Sequence, residues 1–130
     1  MKLSDFELDV MQLFWDHGPN SAPDIHNAIQ GVRPVSYSAV KTIIDRLEDK
    51  GALMRSDQRG ITIIYSPKVE RIELSKPLLS TFVRRLFGGK PRELISQLID
   101  DERLDRADIE YLEQKLAERR KERPEAEIEL

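Results

Sequence analysis

Apolar residues recur along this chain mostly at helical spacing, with one short stretch of strand-like alternation. Val40, Ile43, Ile44 and Leu47 stand at i, i+3, i+4 and i+7 and predict a helix over about 36–50 with one buried stripe. Pro34 biases the residue before it away from helix, and Ser36 or Ser38 can cap the new N-terminus. Gly51 stands where a left-handed cap is wanted, and Lys50 suits the negative end of the helix dipole. The opposite face carries Ser38, Lys41, Thr42, Asp45 and Arg46. Upstream, Ser4-Asp5-Phe6-Glu7 is a capping box that opens a helix ending near Asp16 or His17. Phe6, Val10, Leu13 and Phe14 line one side of it, with Leu3 as a staple and Trp15 at the rim of the core. Ser21-Ala22-Pro23-Asp24 opens a second helix with Ile25, Ala28 and Ile29 inward and Gly31 at its end.

The linker 31–35 is longer than the turn of the tightest helix-turn-helix, and Val35 is a candidate for a short strand. Next, Leu53-Met54-Arg55-Ser56 and Ile61-Thr62-Ile63-Ile64-Tyr65-Ser66 flank the polar turn Asp57-Gln58-Arg59-Gly60 and read as a hairpin. Three helices followed by a hairpin is the order of a winged helix-turn-helix. The fold class is therefore mainly α with a small β-hairpin wing, over about 53–66. Arg55, Arg59 and the Gly60 backbone are expected at the wing tip, in reach of phosphate.

From Val69 the spacing is helical again. Leu74, Leu78, Leu79, Phe82, Val83, Leu86 and Phe87 form one face, interrupted by Lys76-Pro77 and stopped by Gly88-Gly89. Pro91 starts a helix with Leu94, Ile95, Leu98 and Ile99 inward; Asp105 caps another with Ile109, Leu112 and Leu116 on its stripe. These faces exceed what so short a segment can bury within itself, so a second copy of the chain is the expected cover. The expected division is 1–69 as DNA-binding domain, 70–120 as helical dimerisation region, and 121–130 as a disordered tail, fraying from about Arg119.

Net charge is −3, which taken alone speaks against nucleic acid. Its distribution changes the picture. Residues 1–32 carry a net −4, residues 33–68 a net +3 and residues 69–130 a net −2, so the positive segment is the one holding the candidate recognition helix. There is no cysteine, which excludes disulfides and cysteine-ligated metal sites. No apolar run approaches a membrane span and Met1-Lys2-Leu3-Ser4 does not begin a secretory signal, so membrane insertion is not expected and the location is expected to be cytoplasmic. His17 and His26 lie on different helices without carboxylates at metal spacing and read as satisfied rim or surface residues. No metalloprotease, P-loop, dinucleotide or nucleophile-elbow motif is present. Neither enzyme, cofactor nor metal is expected.

The run Tyr37-Ser38-Ala39-Val40-Lys41-Thr42-Ile43-Ile44-Asp45-Arg46-Leu47, then Lys50-Gly51 and Tyr65-Ser66-Pro67, resembles the penicillinase repressor family (BlaI/MecI type, with copper-responsive CopY relatives). Leu3-Ser4-Asp5-Phe6-Glu7, Val10-Met11 and Phe14-Trp15 match that family's opening helix, and the likeness covers about residues 3–120. The resemblance implies a homodimer of winged-helix domains joined by C-terminal helices, repressing genes from near-palindromic operators. It also implies induction through a membrane β-lactam sensor with protease activity, followed by cleavage within the C-terminal helices. Ala39 stands where the family has threonine, and the family's cleaved Asn-Phe bond falls at Gln97-Leu98. The cysteine pairs of the copper-responsive branch are missing, which excludes that mode of metal sensing.

The expected function is a dimeric repressor of double-stranded DNA. Ser38, Lys41 and Thr42 are the candidates for base edges or groove contacts, and Arg46, Arg55 and Arg59 for phosphate. Leu78, Leu79, Phe82, Leu86, Leu94, Leu98, Ile109 and Leu112 are the candidates for dimerisation. A repressor released by a small ligand, and a winged-helix protein-interaction module without DNA binding, are the alternatives.

Overall fold

The computed structural model describes residues 1–122. Helices α1 (Asp5–His17), α2 (Ala22–Ile29) and α3 (Tyr37–Asp49) pack on a three-stranded antiparallel sheet of β1 (Asn20–Ser21), β2 (Leu53–Arg59) and β3 (Thr62–Pro67), in the order β1-β3-β2. Each helix starts as its local chemistry requires. The Ser4 hydroxyl accepts from Glu7 N–H while the Glu7 carboxylate accepts from Ser4 N–H at 2.9 Å, and Ser21 and Ser36 cap α2 and α3.

The core joins Val10, Met11 and Phe14 of α1, Ala22, Ile25 and Ile29 of α2, and Val40, Ile43, Ile44 and Leu47 of α3. Ala52, Leu53 and Tyr65 close it from the sheet side. Three residues of α1 and α2 differ from expectation. Ala28 is exposed, and Ala22, one turn and a half earlier, is buried in its place. Met11 is buried beside Val10, because α1 is gripped by α2 and α3 together and buries a wider arc than one stripe.

The third strand is not Val35. Asn20 and Ser21 pair with Tyr65 and Ile64, while the Val35 carbonyl accepts from the Gln30 amide and lies 3.0 Å from His26 Nε2. Those side chains hold Val35 against the core and leave it no strand partner. The hairpin also turns later than expected. A bulge between Arg55 and Asp57 absorbs one residue, the ladder continues to the Arg59–Thr62 pair, and only Gly60 and Ile61 form the turn. Gly60 takes φ +64°, the left-handed conformation that a side chain resists.

The first compact unit runs from Met1 to Leu79 and so includes the start of α4 (Arg71–Phe87), whose Leu74 is buried. Trp15 stands at the rim as expected: its indole N–H donates to the Val69 carbonyl at 3.0 Å, and the Arg71 guanidinium lies over its ring and reaches Asp16. α4 is continuous through Pro77, so Lys76-Pro77 does not break it; proline forgoes one backbone bond that the rest of the helix outweighs.

The second unit begins at Ser80 and holds the end of α4, then α5 (Arg92–Ile99) and α6 (Arg106–Glu122). Asp105 and Asp108 cap α6 reciprocally, each carboxylate accepting from the other's N–H at 2.8 and 3.1 Å. The helix persists through Arg119–Glu122, where fraying was expected, with basic residues complementing its C-terminal dipole. The rest of the expected tail lies outside the described residues. No helix among the described residues is long and apolar enough to cross a membrane.

One ion pair with a buried carboxylate ties α1 to the end of α3. Glu7 is almost wholly buried, and its Oε1 accepts from Lys50 Nζ, at the end of α3, at 2.8 Å. Burial pushes the Glu7 carboxyl up, but the hydrogen bonds from Lys50 and Ser4 outweigh it and hold the group below the ordinary carboxylate value. A group lowered on folding contributes stability above its unfolded value and forfeits it as pH falls through the folded one. Lys50→Met should therefore cost about 1–3 kcal/mol at neutral pH, by leaving a buried carboxylate without its cation. That loss should shrink on acidification toward the carboxylate range. Urea titrations at several pH values measure both, and a variant as stable as the parent at pH 7 would contradict them.

Candidate nucleic-acid interface

Helix α3 has two faces because its residue spacing gives it two. Val40, Ile43, Ile44 and Leu47 are buried, and Ser38, Thr42 and Arg46 stand exposed on the far side at intervals of four, with Lys41 and Asp45 half-buried beside them. The outward groups are preorganised by their neighbours. Thr42 Oγ1 donates to the Ser38 carbonyl at 2.9 Å, which leaves its lone pairs free to accept. Ser38 and Ser36 share a hydroxyl contact at 3.2 Å. Lys41 donates to Asp45 one turn on, and that hydrogen bond holds the ammonium above its ordinary value against the opposing effect of burial. Arg46 has no ion-pair partner among the described residues. It is the uncommitted cation on this face.

The wing sets two arginines apart. Arg55 is not at the tip, as expected, but at the base of the ribbon, opposite Tyr65. Its Nε donates to Glu48 of α3 at 2.9 Å, so the late turn that lengthens the ribbon also leaves Arg55 bracing helix against strand. Arg59 is at the tip, its guanidinium 3.7 Å from Asp57 and mostly exposed. Between α3 and β3 runs a shallow groove of about 210 Å³, lined by Tyr37, Lys41, Ile61, Thr62 and Tyr65 among others. Five of the six expected residues thus fall on α3 or the tip of the wing. Tyr37 and Glu48 were not singled out from the sequence. An aromatic residue directly after the Ser36 cap was the signal for Tyr37; Glu48 offered none, since its role depends on where β2 begins.

This arrangement can present hydroxyls, an ammonium and guanidinium groups to one ligand surface. Among the described residues no group of histidines and carboxylates could hold a metal ion. Residues 3–118 match the penicillinase repressor family.

The chain belongs to the penicillinase repressor family.

It is 30% identical over 112 residues to the penicillinase repressor of Staphylococcus aureus, spanning 86% of this chain and 88% of the relative. To the methicillin resistance regulatory protein MecI of Mammaliicoccus sciuri it is 29% identical over 111 residues, or 85% and 89%. The solution structure of the DNA-binding domain of the repressor BlaI superposes with a TM-score of 0.50 at 27% identity, over 54% of this chain and 84% of that one. The family is one of winged-helix transcriptional repressors rather than enzymes.

Proposed function

We propose that this chain is a cytoplasmic, dimeric repressor that binds a near-palindromic operator in double-stranded DNA, with α3 in the major groove and the wing against the adjoining backbone. The observation that carries the reading is the outward face of α3. Four aliphatic side chains anchor the helix from behind, while Ser38, Lys41, Thr42 and Arg46 face away from the core. Ser38, Lys41 and Thr42 take base edges or groove contacts, and Arg46 and Arg59 take phosphate. Arg55, also read as a phosphate contact, reaches the backbone only by sharing or leaving Glu48. Lys41 likewise trades Asp45 for a base acceptor, an exchange that favours DNA only where the acceptor is well placed.

Binding of purified protein to its own upstream DNA tests the reading directly. Affinity should fall steeply with salt, because each lysine or arginine contact releases counterions. Lys41→Ala should cost roughly 1–3 kcal/mol on the operator alone, whereas Arg59→Ala should weaken all sequences alike. Mobility-shift titrations in which Lys41→Ala binds the operator as tightly as the parent would remove that residue from the interface.

Dimerisation is assigned to the C-terminal helices. Leu78, Leu79, Phe82, Leu86, Leu98 and Ile109 are exposed, Leu94 and Leu112 half-buried, which is far more apolar surface than a lone chain of this size keeps in water. α5 and α6 together border an apolar hollow of about 280 Å³ lined by Ile95, Leu98, Ile99, Leu104 and Leu112 among others, suited to a side chain from a second copy. Induction through a membrane sensor-protease would act here, since Gln97 and Leu98 are exposed in α5 and a cut between them separates α6 from the rest. Light scattering at micromolar concentration should therefore give a dimer for the full chain. It should give a monomer for Leu98→Glu with Leu112→Glu, and for protein cut at a protease site engineered at 97/98. A tight dimer after that cut would overturn the cleavage mechanism; a full-length monomer would overturn the dimer.

A further inference from the structure

Ile61 borders the groove between α3 and β3 but takes no part in the buried core. It is 97% exposed, beyond any other large apolar side chain in the described residues, and it sits at the extreme tip of the wing. The turn does not ask for it. Gly60 has positive φ and Ile61 does not, the pattern of a two-residue loop with glycine first, where the second place suits asparagine, aspartate or serine. A branched hydrocarbon there meets water on nearly all sides.

The tip is also held stiff. The Gln58 side-chain amide donates to the Gly60 carbonyl at 3.0 Å, and the Asp57 carboxylate accepts from Gln58 N–H at 2.8 Å while standing 3.7 Å from Arg59. Ile61 is thereby presented at a fixed place, with the cationic Arg59 on one flank and the exposed Thr62 on the other. A narrow, rigid, two-stranded point bearing one hydrocarbon and one guanidinium is the shape and chemistry of a minor-groove probe.

The geometry points to Ile61 as a sequence-selecting contact: the wing tip enters the minor groove beside the bases that α3 reads, with Ile61 on the groove floor and Arg59 along its wall. This rests on the reading of the chain as an operator-binding repressor and adds to it a second zone of base selection. The selection is by exclusion. In the minor groove a G·C pair differs from A·T by the guanine 2-amino donor, and an isoleucine pressed on that donor shields it from water without accepting its hydrogen bond. The wing therefore favours A·T pairs at positions no side chain of α3 reaches.

The test uses the full chain and a duplex that the wild type selects from a random-sequence pool. The selected duplexes should carry A·T pairs flanking the α3 contacts. Ile61→Ser should bind them about tenfold more weakly, and Ile61→Leu should restore most of the loss. Replacing those A·T pairs by inosine·C, which lacks the 2-amino group, should leave wild-type affinity nearly intact. Replacing them by G·C should lower it about tenfold for the wild type and far less for Ile61→Ser. An Ile61→Ser variant that binds as tightly as the wild type, or equal penalties for inosine·C and G·C, would overturn the assignment while leaving operator binding in place. A wild-type chain that enriches no sequence at all would overturn the operator reading and this inference with it.

Discussion

A thirteen-residue helix that must satisfy a hydrocarbon interior on one side and a polar ligand on the other leaves few degrees of freedom to the remainder of the chain. α3 meets both demands by spending every third or fourth position on an aliphatic side chain, Val40, Ile43, Ile44 and Leu47, all buried. At roughly 1.5–3 kcal/mol for each large apolar side chain removed from water, that stripe is the main hold on the helix. Its cost is specificity of rotation: turning α3 by one residue would bury Lys41 and expose Val40. α1 and α2 are accordingly placed to receive the stripe, and β1, β2 and β3 follow because Leu53 and Tyr65 must close the same core.

Hydrophobic burial sets the depth and rotation of α3 but not its position along its own axis. Charge supplies that. At the N-terminal end Ser36 caps the helix, and at the C-terminal end Lys50 reaches the buried Glu7 of α1 while Glu48 holds Arg55 of β2. The two pairs differ in kind. Glu7–Lys50 has one partner out of water, so breaking it leaves an unpaired buried charge; Glu48–Arg55 is largely exposed and contributes little to stability. Its consequence is directional, since it fixes the base of the wing to the end of α3 and lets the two move as one body.

Three helices, their caps and the presence of a hairpin were legible because each rests on local chemistry: a hydroxyl at the right offset, a glycine at the stop, an apolar residue every third or fourth place. The misplaced features all depend on pairing across distance. Asn20-Ser21 has no strand signal of its own and becomes a strand only because Tyr65 and Ile64 lie opposite. A bulge at Ser56 cannot be read from composition, and it shifts the turn from 57–60 to Gly60-Ile61, carrying Arg55 away from the tip. Ala22 replaces Ala28 inside for a similar reason, since the pivot of α2 is set by β1 beside it. The face of α3 stood out because its periodicity and its hydroxyls share one short segment; the placing of its partners on the wing did not, because register decides it.

The two halves of the chain solve different physical problems. Met1–Leu79 has a closed core, although Val32, Ile61, Ile72, Leu78 and Leu79 among others stand exposed around it. From Ser80 onward no residue among those described is a buried hydrophobe, yet α5 and α6 are regular helices and α6 is capped at its N-terminus. Capping and i,i+4 ion pairs such as Arg106–Glu110 can sustain helices of this length only marginally in water. The dimer proposed above would complete that core with another copy of the chain. In the proposed dimer that completion is coupled to DNA. Each half-site contact alone is weak, and joining two converts the second into an effectively intramolecular event. The coupling makes the apolar faces of α4, α5 and α6 part of the affinity without a single contact to a base, and places the control of repression where the chain is least stable by itself.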